Sequence, residues 1–335
     1  MGRRELLLRE TIAKDATPGG GRRRDLTRRM LYLPALIVAA VLMACAVVVL
    51  VVSEKAEATF PGKSGDIVFT SRGHCADAAI VRVRPDGTGL TPLTCNPSMD
   101  VYSQYPAWSA DGKKIVFQND ADDADEFGRD LWVMDANGRN RVNITNTPNV
   151  DEWQPAWFPS GKKIAYQAAG IEVLTLNARG KATKTTRLTS DGAEPAISPN
   201  GKKIAFASHR DGDAEIYVMR SDIPEGPNNR PGKLTDNATY SDSQPDWSPD
   251  GSRIVYSSAR GGNWEDIFVM RADGSGKKNL TRNPARDQHP VFSPDGRWVA
   301  FDSDRNLWKM RIDGTRLTQL TSDDENLQPD WQPRP

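Results

Sequence analysis

The chain has 335 residues, 38% of them hydrophobic and 26% charged, and its 44 basic side chains balance 44 acidic ones. This is the composition of an ordinary folded protein. The charge is uneven: residues 1–59 carry ten Lys/Arg against six Asp/Glu, which leaves the remainder near −4 and without the basic face that nucleic acid requires.

Residues 1–30 include a Gly-rich break at 19–21 and several arginines, and read as a short basic cytoplasmic tail. Residues 31–52 contain no charge. As a helix this run is about 33 Å long, enough to cross a bilayer core, so a transmembrane signal anchor is expected over 31–53. Arg22, Arg23, Arg24, Arg28 and Arg29 precede it, which implies a single-pass cell-membrane protein, N-terminus cytoplasmic and the rest extracytoplasmic, periplasmic or extracellular. Ala56-Glu57-Ala58 is a competing cleavage site, with Thr59 as the mature start. The length of the apolar run favours an uncleaved anchor. Residues 54–63 are a linker.

From there the chain repeats. PAWSADGKKIVF (106–117), PAWFPSGKKIAY (155–166), PAISPNGKKIAF (195–206), PDWSPDGSRIVY (245–256) and PVFSPDGRWVAF (290–301) align, their first prolines 49, 40, 50 and 45 residues apart. Between them recur LWVMDANG (131–138), IYVMRSD (216–222), IFVMRADG (267–274) and LWKMRIDG (307–314), then a closing L-T or I-T phrase. Short β-rich runs separated by Asp-Gly, Asn-Gly or Ser-Gly read as strands joined by tight hairpins. Four strands per unit at a period of 40–50 residues are the pattern of a propeller blade. The first unit starts at Gly65-Asp66-Ile67-Val68-Phe69 without its own P-x-W strand, and Gln328-Pro329-Asp330-Trp331 supplies that strand near the C-terminus. The expected fold is therefore all-β, a six-bladed propeller over 64–335 closed by a strand at 327–332 and preceded by one transmembrane helix.

The W-S-P-D-G-x-x-I-x-F phrase, followed by I-x-V-M-x-x-D-G and L-T, resembles the TolB-like β-propeller repeat family, whose repeats are WD-like. The resemblance covers about 270 residues. It implies the propeller fold and, by analogy, partners in the cell envelope. The α/β domain that precedes the propeller in TolB has no counterpart here, so no role of that domain carries over.

No catalytic motif is present. Gly62-Lys63-Ser64-Gly65 has the wrong spacing for a nucleophile elbow, and Gly274-Ser275-Gly276-Lys277-Lys278 lacks the leading Gly and trailing Ser/Thr of a P-loop. His74, His209 and His289 fall in different blades at different repeat positions, so no metal site is expected. The acidic run at 120–126 has the oxygen ligands Ca²⁺ favours but not the EF-hand spacing or glycine. The sequons at Asn143, Asn237 and Asn279 read chiefly as strand-forming sequence. Cys75 and Cys95 flank neighbouring ends of two antiparallel strands, and a disulfide between them is expected.

The first strand of each propeller blade lines the central channel. The residue before each strand's proline then sits near one mouth: Tyr105, Gln154, Glu194, Gln244, His289 and Gln328. Trp108, Trp157, Trp247 and Trp331 pack between blades. A polar ring at a concave opening is a candidate binding site for a peptide. The function expected is a membrane-anchored, non-catalytic scaffold for a protein or peptide partner in the envelope, held to the membrane by residues 31–53. The alternatives are a hydrolase or lyase in the channel, with metal assistance, and a ligand sensor.

Overall fold

The computed structural model describes residues 62–75, 78–95, 102–120, 128–147, 149–237, 240–259, 264–322 and 325–334. These form six four-stranded antiparallel sheets. Five are consecutive in sequence. The second blade, for example, runs Ser103–Trp108, Lys114–Asn119, Asp130–Asp135 and Val142–Asn143 from the channel outwards. The first blade takes its inner strand from the far end of the chain: Asn326–Arg334 pairs with Lys63–Ser71, which continues to Ala79–Val83 and Thr91–Pro92. The closing strand is longer than the 327–332 read from sequence.

The repeated phrases have distinct physical jobs. In the Ser-x-Asp-Gly turn, Asp111 accepts a hydrogen bond from Ser109 Oγ at 2.7 Å, and that Oγ accepts from Lys114 N at 2.9 Å. The second set of turns carries glycine for two reasons at once. Gly138, Gly274 and Gly314 have φ of +81° to +87°, and a Cβ on any of them would come within 2.8–2.9 Å of the carbonyl oxygen of Leu93, Leu234 or Leu280 in the preceding blade. A side chain there would be strained and would push adjacent blades apart.

The core consists of six apolar clusters, one at each junction between blades. Trp108 joins Val68, Ile80 and Leu93 of the first blade to Ile115, Phe117 and Met134 of the second. Trp331 joins Ile67, Phe69 and Val81 of the first to Ala300, Leu307 and Leu320 of the sixth. The outer strands are short, two residues in five blades, but the third blade ends in the eight-residue strand Ala182–Thr189.

One expectation is corrected. Among the described residues there is no helix, and so none long and apolar enough to cross a membrane. Their apolar runs are short strands whose side chains are used up at blade junctions. The expected span 31–53, with the tail 1–30 and most of the linker 54–63, lies outside the described residues. The fold class is thus the propeller alone. The membrane-anchored form of the function, the membrane as a partner through 31–53, and the single-pass localisation with a cytoplasmic N-terminus are without support and are withdrawn.

Candidate functional site

Each inner strand is irregular at the same place. Its pairing register shifts around the residue–proline step, as between Gln104 and Ala107, Ser243 and Asp246, and Gln288 and Val291. Proline has no N–H for the ladder, and the extra residue is accommodated as a bulge. The residue before the proline is left-handed in all six blades: φ is +50° at Tyr105, +49° at Gln154, +56° at Glu194, +55° at Gln244, +50° at His289 and +58° at Gln328. That conformation costs an L-residue about 1–2 kcal/mol. Six such residues, none a glycine, line one cavity of about 180 Å³ together with the prolines that follow them.

Hydrogen bonds link this ring. Glu194 accepts from Gln154 Nε2 at 3.5 Å and from the Gln244 backbone N at 2.6 Å. Gln244 Oε1 accepts from the His289 backbone N at 2.9 Å and from Ser257 Oγ at 2.8 Å. Those two donors fix the Gln244 amide so that its Nε2 donates to His289 Nε2 at 3.0 Å. His289 Nδ1 in turn donates to Asp302 Oδ1 at 2.8 Å, which also accepts from the Gln328 backbone N at 3.0 Å. Thr70 Oγ1 donates to Gln328 Oε1 at 2.7 Å and accepts from Tyr105 N at 3.2 Å. The Tyr105 and His289 rings meet edge to face with centroids 6.2 Å apart.

Enclosure sets the electrostatics of the mouth. Burial pushes the Glu194 carboxyl up, against the Gln244 N–H and the His289 ring that favour its charge. Burial alone would lower the His289 imidazole, but Asp302 and then Glu194 outweigh it and the net shift is upward. Burial, Glu194 and Asp302 together raise the Tyr105 phenol.

Two features escape a strand-by-strand reading of the sequence. A second tier braces the ring from the neighbouring strand: Thr70, Ser257 and Asp302, each directly after the aromatic residue of the K-I-x-F phrase or its equivalent; Gln118, in the same column, instead donates to Gln104 beside the ring. Aligning the repeats one column further exposes this tier. Deeper in the channel, the residues after the prolines form a layer of Ala107, Ala156, Ala196, Asp246, Val291 and Asp330. Asp246 Oδ2 accepts from Phe292 N at 2.8 Å, and Asp330 Oδ2 from Trp108 N at 2.5 Å. Burial raises both carboxyls to about 7.

The remaining candidates do not join this site. Cys75 and Cys95 are linked by a disulfide, with Cα atoms 5.6 Å apart, beside the first blade. His74 sits by Ser71 Oγ at 3.0 Å. Of the acidic run at 120–126, only Asp120 is described, and it accepts from Tyr102 N. Among the described residues no three His, Cys, Asp or Glu side chains converge to hold a metal ion. The Gly274–Lys278 segment is a hairpin turn, with Lys277 Nζ bonded to the Gly274 carbonyl at 2.6 Å.

The family model described as the TolB beta propeller domain matches residues 125–265 and 228–335, more than half of the chain. The chain belongs to the TolB β-propeller domain family. Among solved structures, TolB from Acinetobacter baumannii superposes with a TM-score of 0.65 at 21% identity, over 81% of this chain and 67% of that one. A putative TolB from Agrobacterium tumefaciens gives 0.59 at 20% identity, over 79% and 91%. Hydrazine synthase of Kuenenia stuttgartiensis gives 0.64 at 16% identity, over 84% and 48%. At these identities the likeness is one of fold alone. An uncharacterised protein of Agrobacterium fabrum is 35% identical over 74 residues, which are 21% of this chain and 24% of that relative's length.

Proposed function

We propose that this TolB-like propeller is a non-catalytic scaffold that captures an extended segment of a partner protein in the cell envelope at the mouth of its channel. The observation that carries the reading is the ring of six left-handed residues. Glycine would adopt this backbone without strain. The chain instead places phenol, amide, carboxyl and imidazole groups there, at about 1–2 kcal/mol each, and strain of this kind gathers where side chains are held ready for a ligand. The Cys75–Cys95 disulfide fits an oxidising compartment. The mouth offers donors and acceptors around an apolar ring of prolines, the mixture that recognises a peptide backbone and its side chains together.

The test uses the full chain carrying Y105F/Q154A/E194Q. These changes remove the mouth's hydroxyl, one amide and its charge but keep an acceptor for the Gln244 N–H. Capture of envelope proteins from extracts should be lost while the melting temperature stays within about 3 °C of the parent, a change of about 1 kcal/mol. Capture at the parental level by a folded triple variant would refute the reading.

A further inference from the structure

The layer below the mouth departs from the repeat. In four blades the residue after the proline is alanine or valine; in the fifth and first it is Asp246 and Asp330. The blade does not need a carboxylate at this position, because four blades fold without one. The two acids also line the smaller cavity beneath, with Ile197, Trp247, Phe292 and Trp331, so they stand where the two cavities adjoin. They are close enough for the Asp330 charge to oppose ionisation of Asp246. Enclosing two carboxyls in an otherwise apolar layer is costly unless something offsets it. The backbone N–H groups that favour their charge, Phe292 and Trp247 at Asp246 and Trp108 and Trp331 at Asp330, offset only part of that cost, since both carboxyls stay raised.

The residues lining the upper cavity include Glu194, Asp246 and Asp330 and no lysine or arginine. Its other titratable side chains, Tyr105 and His289, sit at the mouth. The surrounding surface is methyl, proline and indole: Ala107, Ala156, Ala196, Val291, Trp108 and Trp157. An apolar sleeve ending in two carboxyls complements an alkyl stem ending in a cation. A divalent metal would want more oxygen or nitrogen ligands than the pair supplies, and among the described residues no third such side chain joins it. We infer that the channel receives a basic side chain, lysine or arginine, of the captured segment, its charge held between Asp246 and Asp330. This rests on the mouth being the site of capture.

The cation would draw the pair into its charged form, so binding should release protons and tighten as pH rises through about 7. The probe is n-butylammonium chloride, a copy of the lysine side chain, titrated into the full chain against sodium chloride at equal ionic strength and read by tryptophan emission. Saturable binding is expected, stronger at about pH 8 than at about pH 6 and weakened about tenfold or more in D246N/D330N. Asparagine keeps an acceptor for the Phe292 and Trp108 N–H groups; if the double variant does not fold, each single variant is measured instead. No saturable binding, or binding unchanged by these substitutions, overturns the inference. A response to calcium chloride with none to butylammonium overturns it in favour of a metal. Partner capture that survives D246N/D330N but not Y105F/Q154A/E194Q removes this inference and leaves the mouth reading standing.

Discussion

Four tryptophans occupy one repeat position, and their indole N–H groups differ in a way that stability measurements can read. Trp331 Nε1 donates to the Gly65 carbonyl at 3.0 Å, joining the closing strand to the strand it completes. Trp108, Trp157 and Trp247 are equally enclosed, yet the Nε1 of each is buried without a protein partner. Tryptophan to phenylalanine removes the indole N–H and leaves a similar void at every site, so the void largely cancels between variants. At Trp331 the change also strands the Gly65 carbonyl, which costs about 1–3 kcal/mol. At the other three it removes a donor that burial had already penalised, so this term is near zero or favourable. W331F should therefore lie about 1–3 kcal/mol below the mean of W108F, W157F and W247F, or roughly 2–10 °C lower in melting temperature for a domain of this size. Urea unfolding followed by circular dichroism measures this without relying on tryptophan emission. A W331F no less stable than W108F would refute the account of the closure bond.

Left-handed strain at the mouth should respond to side-chain shape: Gln154, whose amide meets Glu194 at 3.5 Å and also the Tyr105 hydroxyl, should tolerate Q154G with a change within about 1 kcal/mol, whereas Q154V should cost about 1–3 kcal/mol, both read from thermal melts. Equal melting temperatures for the two variants would contradict the assigned backbone. Reducing the Cys75–Cys95 bond, which spans 20 residues, should lower stability by about 3 kcal/mol from the loop entropy it restricts, measured by unfolding with and without reductant. No difference would mean that the 75–95 loop is equally ordered in the absence of the bond.

The blade count was legible because a propeller repeats its turn chemistry. The Asp-Gly and Asn-Gly pairs sit where positive φ favours glycine, and in the second set close approach to the previous blade demands it as well, so they recur at a fixed phase. Ring closure was legible from a strand missing at one end and surplus at the other. The mouth residues were located by the proline that follows them, but their left-handed backbone was not, because glutamine, glutamate and tyrosine carry no local preference for it. Asp246 and Asp330 passed unnoticed because Asp is an ordinary residue beside a turn-rich phrase. Only the channel, which gathers one residue from every blade, turns that column into a layer with two charges. The apolar run at 31–52 shows the opposite limit. Hydropathy alone made it a membrane span, and the described part of the molecule contains no helix to accompany it.

Closure by the Asn326–Arg334 strand also sets a timetable. Trp331 and Gly65 are 266 residues apart, and at about 5–20 residues per second the ribosome needs roughly 15–50 s to cover that distance. Throughout that interval Lys63–Ser71, buried over Ile67–Ser71 and apolar at Ile67, Val68 and Phe69 in the finished molecule, has one flank bare and its hydrogen-bonding groups on that side unpaired. During synthesis the first blade is thus the part of this protein most in need of a chaperone and most prone to pair with the wrong strand.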